Sequence, residues 1–174
     1  PGTRPPARGR SAAGSAAGEI LKIVSSAGEN DLVICLWSGG GSSLLADYPE
    51  NSSQEEMAKL NDILVRCGAD ITEINAVRKH LSKVKGGMLA THIAPASFVN
   101  ILLSDVIGDP PDIIASGPAV PDNSTFSDAM AVIEKYNLAE VIPNSLVSFI
   151  QEGVNGLHPE TPKPHRRDAG ATRV

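Results

Sequence analysis

The chain has 174 residues, of which 41% are hydrophobic, 20% are charged and only 3% are aromatic, with a formal net charge of −5. This composition predicts one folded domain with an aliphatic core and excludes a disordered chain. Residues 11–162 carry 8 basic and 19 acidic residues, so this part of the chain has a net charge of −11. The negative charge of residues 11–162 and the small number of aromatic side chains argue against binding to nucleic acid.

One local cluster of basic residues stands out against the acidic body. Four of its eight basic residues, Arg78, Lys79, Lys83 and Lys85, fall within one eight-residue window. A small cationic cluster on an acidic protein predicts a small anionic ligand more than a charged polymer.

The two cysteines, Cys35 and Cys67, lie in apolar surroundings and form no CxxC motif. Two thiols without a disulfide framework predict a reducing compartment, and we expect a cytoplasmic protein. No apolar run approaches the roughly 18 residues of a membrane span, and the basic N-terminus lacks the apolar region of a signal peptide. The four histidines show no metal-ligand spacing.

The predicted elements, in chain order, alternate between helices and short apolar runs. They are a helix from about Ser15 to Gly28, a strand at 32–37, helices from Ser53 to Gly68 and from Asp70 to Lys85, a strand at 98–103, and helices at 126–136 and 144–152, the last stopped by Gly153. The first strand is a continuous apolar run and the second is apolar except for Asn100, and both are interpreted as strands buried on both faces of a parallel sheet. The fold class is therefore α/β with a parallel sheet, and two strands indicate an incomplete sheet.

The first candidate site follows the first strand, where the chain reads Ser38-Gly39-Gly40-Gly41-Ser42. In open α/β sheets, ligands bind beyond the carboxyl ends of the strands. Glycines let backbone N–H groups approach an anion, and a helix starting near Ser42 would add positive charge. The alternative is a tight turn in a glycine-rich linker, and the segment matches neither a P-loop nor a dinucleotide fingerprint.

The second candidate lies on the helix predicted to reach Lys85. Asn75, Arg78, Ser82 and Lys85 are spaced at i, i+3, i+7 and i+10, which predicts one polar stripe with two cations. Such a stripe could hold a carboxylate or phosphate. The alternative is an ordinary amphipathic surface helix, with His80 at its surface or boundary.

The third candidate is acidic and follows the second strand. Asp105 at the strand end could bind Mg²⁺ or accept a hydroxyl proton, and Asp109 and Asp112 are close enough in the sequence to share a metal. The alternative is that these acids cap turns. The next segment, from Ile114 to Pro118, reads only as a rigid loop.

Taken together, the segments SGGGSSLL, INAVRKHLSKVKGG, ILLSDVIGD and IASGPAVPD resemble, in this order, the type II (MOFRL-type) glycerate 2-kinases. The resemblance implies a Rossmann-like, three-layer domain with a mostly parallel sheet. It also implies phosphorylation of D-glycerate at its 2-hydroxyl with ATP and Mg²⁺. Family members are longer than this chain, so the sheet is expected to be incomplete.

The resemblance and the residue chemistry together suggest roles. The catalytic residues would be Asp105, Arg78 and Lys85; the substrate-binding residues Asn75, Arg78 and Ser82; the ATP-binding residues Ser38, Gly39, Gly40, Gly41 and Ser42; and the metal ligands Asp105 and Asp109. Residues 1–18 are predicted to be a linker-like segment outside the family pattern, 19–163 a partial Rossmann-like domain, and 164–174 a tail. A homo-oligomer is left open.

Two other functions are left open by the sequence. Some members of the family carry the name hydroxypyruvate reductase, and an NAD(P)H-dependent reductase would bind a similar small anion. Such an enzyme needs a dinucleotide site, whose spacing the glycine run lacks. The chain could also be an inactive fragment or a binding subunit, because activity of this chain alone does not follow from the sequence.

Overall fold

The computed structural model describes residues 10–104, 108 and 110–164, with side chains from residue 16 onward. In these residues the elements run in the order α1 (Arg10–Val24), β1 (Leu32–Ser38), α2 (Gly41–Leu44), α3 (Gln54–Arg66), α4 (Ile71–His80), α5 (Met88–Ile93), β2 (Ser97–Leu103), a 3-10 turn (Ile114–Ser116), α6 (Phe126–Lys135) and α7 (Asn144–Val154). The first helix begins five residues before its predicted start, and α5 was not predicted.

The two strands pair in parallel, as the sequence predicts. Their register runs from Leu32 opposite Ser97 to Ser38 opposite Leu103. Residues 39–96, which include α2 to α5, connect the strands on the way from one to the other. The α/β class and the parallel sheet are therefore confirmed, and the carboxyl ends of both strands lie at the same edge.

The two faces of the sheet differ in burial. One face packs on α1 and α5, and Cys35 on this face is only 6% exposed. The other face exposes its aliphatic side chains, with Ile34 at 59%, Leu36 at 72% and Ile101 at 55%. The prediction that the strands are buried on both faces is wrong for the described residues. Of the three predicted layers, the described residues form the sheet and the helical layer on one of its faces.

Four helices, α3, α4, α6 and α7, share a second cluster that we call the helical core. Its fully buried aliphatic side chains are Leu60, Leu64, Val77, Leu81, Ile133, Leu146 and Ile150. The helix predicted from Ser53 to Gly68 packs into this core through Leu60 and Leu64, which are 0% exposed. This core holds α4, which carries several of the predicted site residues.

Local capping explains where α3 and α4 begin. The Glu56 N–H donates to Ser53 Oγ at 3.2 Å, and the Ser53 N–H donates to the Glu56 carboxylate at 2.7 Å. Asp70 and Glu73 form the same reciprocal pair at the start of α4. Each pair satisfies helix N–H groups that have no acceptor within the helix, so both predicted starts are confirmed.

The predicted helix from Asp70 to Lys85 is wrong beyond His80, where α4 ends. The chain then turns, and Leu81 and Val84 stay buried although they are no longer helical. The apolar residues keep a helical spacing beyond the end of α4, and for this reason the helix predicted from the sequence is too long. The turn leads into Gly86 and Gly87, whose φ angles of 58° and 83° are left-handed and favour glycine.

The prediction that His80 lies at the surface or boundary is also wrong. His80 is 3% exposed, and its ring packs edge-on against Phe126 at 4.7 Å between ring centres. Its Nδ1 lies 2.7 Å from the Ala76 carbonyl, and its Nε2 lies 3.1 Å from the Glu160 carboxylate. The histidine therefore connects α4 with the helical core and with the segment after α7.

Gly153 does not stop α7, which continues to Val154. A Cβ atom at this position would lie 2.2 Å from Cδ1 of Phe126, a distance that no side-chain packing tolerates. The glycine is therefore required by the close approach of α7 to Phe126, and the interpretation of Gly153 as a helix stop is wrong.

A buried ion pair fixes the end of the described chain to α4. Lys79 Nζ lies 3.1 Å from Asp122, and both side chains are 4% exposed. The Thr161 hydroxyl donates to the same carboxylate at 3.2 Å. Lys79 Nζ also lies 3.7 Å from the half-exposed Asp112 carboxylate, so the buried ammonium group has two anionic partners, as a buried charge requires.

Candidate functional site

A cleft of about 290 Å³ lies at the carboxyl end of β1 and contains several of the predicted site residues. It is lined by Gly39, Ser42, Ile71, Asn75, Arg78 and residues 113–116. The cleft thus joins the glycine run with α4 and with the 3-10 turn. This position agrees with the rule that ligands bind beyond the carboxyl ends of parallel strands.

The glycine run forms a turn between β1, which ends at Ser38, and the four-residue helix α2. None of its three glycines, at positions 39–41, has a left-handed φ, and Gly40 has a φ of −67°. The backbone conformation therefore does not require glycine at position 40. A Cβ atom at Gly40 would meet nothing within 4 Å, so the turn faces open space that a ligand could fill.

The 3-10 turn contributes residues whose role the sequence did not reveal. Ala115, Ser116 and Gly117 have φ angles of 52°, 62° and 57°, three left-handed residues in succession. Each such residue other than glycine costs of order 1–3 kcal/mol and persists only where the surrounding structure imposes it. The Ser116 hydroxyl lies 2.9 Å from that of Ser42, which connects this turn to the glycine run.

The same turn also holds the segment that follows α4. The Gly86 N–H donates to the Ser116 carbonyl at 3.0 Å, and the Gly87 N–H donates to the Gly117 carbonyl at 2.8 Å. Lys85 immediately precedes this pair of glycines. Residues 115–117, which we call the strained turn, therefore contact the glycine run and the segment after Lys85, and they also form part of the wall of the cleft.

Two predicted cations lie in this region in unusual surroundings. Arg78 is half-buried on α4, and its Nε donates to Asn61 Oδ1 at 2.6 Å. Burial lowers the pKa of Arg78. Lys85 is 9% exposed; burial lowers its pKa, Asp47 raises it and the charge of Arg78 lowers it. Poorly solvated cations of this kind interact strongly with an anion.

The predicted polar stripe is divided by the structure. Asn75 is 4% exposed and lines the cleft together with Arg78. Ser82 instead borders a different cavity, of about 650 Å³, on the side of α4 where Lys79 and His80 lie. The stripe fails because α4 ends before Ser82, so the helical spacing no longer sets its direction.

The predicted acidic ligands, Asp105 and Asp109, lie outside the described residues. Within residues 10–104, 108 and 110–164, no group of three or more acidic, histidine or cysteine side chains is arranged as a metal site. No helix among these residues is long and apolar enough to cross a membrane.

Three residues of this region were not identified from the sequence. Ser116 lies in a segment that the sequence indicates only as a rigid loop, although the resemblance included it. Asn61 and Asp47 carry no sequence signal, because they contact Arg78 and Ser82 from 17 and 35 residues away. The Asn61 contact joins α3 to α4, and the Asp47 contact joins the loop before α3 to the turn after α4, so local spacing encodes neither.

Known proteins are similar to this chain over most of its length. The D-glycerate 2-kinase of Thermotoga maritima is 54% identical over 119 residues, which are 68% of this chain and 28% of the relative. A putative hydroxypyruvate reductase of Agrobacterium vitis is 43% identical over 148 residues, 85% of this chain and 32% of the relative. A crystal structure of glycerate kinase from Thermotoga maritima superimposes with a TM-score of 0.78 and 46% identity, covering 87% of this chain and 34% of that structure.

The chain therefore spans about a third of the length of these relatives. The domain family described as "Domain of unknown function (DUF4147)" matches residues 5–151, which include the glycine run, α4 and the strained turn. This match, together with the identity to the relatives, shows that the chain belongs to the DUF4147 family.

Proposed function

We propose that the chain forms part of the active site of a glycerate 2-kinase, in which D-glycerate receives a phosphoryl group from ATP. The observation that carries this proposal is the cleft in which the glycine run, Asn75 and Arg78 meet. The names of the relatives support the reaction. Because the chain spans only about a third of those relatives, the activity of the whole protein is part of the proposal.

The substrate carboxylate would be bound by the cationic side of this region. Arg78 is fixed by Asn61 and keeps further N–H donors on its guanidinium group, which can bind a carboxylate or phosphate in bidentate fashion. Asn75 lines the same cleft and can donate a further hydrogen bond. Lys85 would neutralise charge on the transferring phosphoryl group, which makes Arg78 and Lys85 the proposed catalytic cations.

The phosphates of ATP would be contacted by the glycine turn from Ser38 to Ser42. The open space at Gly40 fits this role, because it allows a phosphate to approach the backbone. Mg²⁺ would be held by Asp105 and Asp109, an assignment that rests on the sequence alone. When bound, the ion supplies charge neutralisation between the phosphates.

In the proposed reaction the 2-hydroxyl oxygen of D-glycerate forms a bond to the γ-phosphorus. The bond from that phosphorus to the β–γ bridging oxygen breaks, and ADP leaves. The hydroxyl proton passes to Asp105 or to water. Phosphoryl transfer depends mainly on positioning and charge neutralisation, which this set of side chains would provide.

Three further expectations belong to the same proposal, and they concern the bounds of the domain, the location of the protein and the class of ligand. The domain body is expected to run from Glu19 to Lys163, and contacts of Thr161 and Lys163 with residues 122–124 support its C-terminal end. The unpaired cysteines, Cys35 and Cys67, support a cytoplasmic location. The acidic body supports a small-molecule substrate and no nucleic acid.

Replacement of Arg78 tests the binding role. Arg78→Ala removes a charge-assisted contact worth about 1.5–3 kcal/mol, so kcat/KM for D-glycerate should fall roughly ten- to a hundredfold. Lys83→Ala is the matched control, because Lys83 is exposed and pairs with Glu50 at the surface. Equal losses in a steady-state ADP-release assay would show that general charge, and not the cleft, determines the rate.

The alternatives are separated by parallel assays on this chain. ADP release with D-glycerate and ATP indicates the kinase. Oxidation of NADPH with hydroxypyruvate would indicate the reductase, a name carried by the Agrobacterium relative. If neither reaction occurs while thermal unfolding stays cooperative, the chain is an inactive fragment or a binding subunit.

A further inference from the structure

The hydroxyl of Ser82 has no hydrogen-bonding capacity left for a ligand. It donates to Asp47 Oδ1 at 2.6 Å and accepts from the N–H groups of Val84 at 3.2 Å and Lys85 at 3.0 Å. A serine hydroxyl has one proton and two lone pairs, and all three are used here. Ser82, which the sequence predicts to bind substrate, therefore serves a different purpose.

Asp47 holds the turn after α4 with both of its carboxylate oxygens. Oδ1 accepts the Ser82 hydroxyl, and Oδ2 accepts the Lys83 N–H at 2.5 Å. Together with the bonds that Ser82 accepts, these contacts fix the backbone from residue 82 to residue 85 in a continuous network. The network ends at Lys85, the buried cation of the proposed site.

Neighbouring charges have opposite effects on the pKa of Lys85. Burial is the largest effect and lowers the pKa of Lys85; the negative charge of Asp47 raises it, and the positive charge of Arg78 lowers it. For Asp47, burial raises the pKa, while bonds from Ser82 and Lys83 and the charge of Lys85 lower it. Among the described residues that act on Lys85, Asp47 is the one anion.

We propose that Asp47 is a positioning residue that acts through Ser82 to fix the turn carrying Lys85, the buried cation of the proposed site. This inference rests on the proposed function only for the use of Lys85 in anion binding. The connection between Asp47, Ser82 and Lys85 stands on the hydrogen bonds. Ser82 becomes a positioning residue as well, and loses its predicted contact with substrate.

The test measures the titration of Lys85 in the ligand-free chain, by NMR of the lysine ε-methylene group assigned with Lys85→Arg. In Asp47→Asn the Lys85 pKa should fall, because the group that raises it is neutral. Glu50→Gln is the matched control: Glu50 lies in the same loop and pairs with Lys83, and its loss should leave the Lys85 titration unchanged. An unchanged Lys85 pKa in Asp47→Asn would overturn the proposal.

A second measurement uses sulfate as the anion, because its charge is constant above pH 3. Sulfate affinity should decrease as the pH rises through the Lys85 pKa, and Asp47→Asn should move this decrease to lower pH. Ser82→Ala keeps the Asp47 charge but breaks the network, so sulfate should bind roughly tenfold more weakly, the equivalent of one hydrogen bond to a charged group. Wild-type affinity in Ser82→Ala would overturn the positioning role.

Asp47→Glu serves if Asp47→Asn does not fold. It keeps the charge, so the proposal requires that Lys85 titrates near its wild-type pKa while the longer side chain weakens sulfate binding. A Lys85 pKa as low as in a folded Asp47→Ser variant would contradict it. The titration needs no substrate, so it remains informative if ADP release is absent and the proposed kinase function fails.

Discussion

The helical core and the sheet have similar apolar side chains but bury them to very different degrees. Leu146 and Ile150 in the helical core are 0% exposed, whereas Leu36 and Ile101 on the open face of the sheet are 72% and 55% exposed. The four helices cover one another, while the described residues cover only one face of the strands. Apolar content alone therefore does not reveal whether an element has all of its partners, and a contiguous exposed patch indicates a contact surface.

The largest effect is expected from a cavity in the helical core. Leu146→Ala should lower the free energy of unfolding by about 2–5 kcal/mol, because the surrounding helices cannot collapse fully into the space. The matched change on the sheet, Leu36→Ala, should cost less than about 1 kcal/mol, since that side chain is largely in water already. Urea unfolding of both variants measures the difference, and similar losses would contradict the comparison.

A smaller effect is expected at Gly153, where α7 approaches Phe126. Gly153→Ala should destabilise the protein by about 1–3 kcal/mol through overpacking, although alanine favours a helix by about 1 kcal/mol. Gly18→Ala in α1 is the control, because a Cβ atom there meets nothing within 4 Å. That change should stabilise by about 0.5–1 kcal/mol. A higher melting temperature for both variants would show that Phe126 moves aside freely.

The smallest effect on stability, and the clearest effect on association, is expected at the open face of the sheet. Leu36→Lys should change the free energy of unfolding by less than about 1 kcal/mol. It should lower the average mass at high protein concentration in sedimentation experiments, because a charge interrupts the aliphatic patch. Val65→Lys is the control, since Val65 is 64% exposed on α3, away from the sheet. Equal effects of the two lysines would remove the special status of this face.

Most features that could be predicted from the sequence are local, although the alternation of helices and strands also predicted the parallel pairing of β1 and β2. The reciprocal caps at Ser53 and Asp70 involve residues three positions apart, so the pattern of side chains is sufficient to locate them. The apolar run of β1 likewise predicts the strand, but it does not show how many faces are covered. That property depends on what packs against the strand, and no residue within the run determines it.

The candidate site was predicted only in part for the same reason. Asn75 and Arg78 lie on regular helix, and their predicted common face is present in the cleft. Ser82 lies after the end of α4, in a turn that Asp47 stabilises from 35 residues away. A helix end that is set by a distant carboxylate leaves no mark in the local spacing, so the predicted stripe continued too far.

The parallel pairing of β1 and β2 also has a consequence for how the sheet forms during folding. Pairing of the two strands closes the long loop that contains residues 39–96. Closing a loop of this length has an entropic cost that a two-residue hairpin avoids. The packing of the intervening helices offsets this cost. The strands have no local turn to set their alignment. Their register is therefore dictated by the compact crossover, which makes the sheet a non-local product of the helices between its strands.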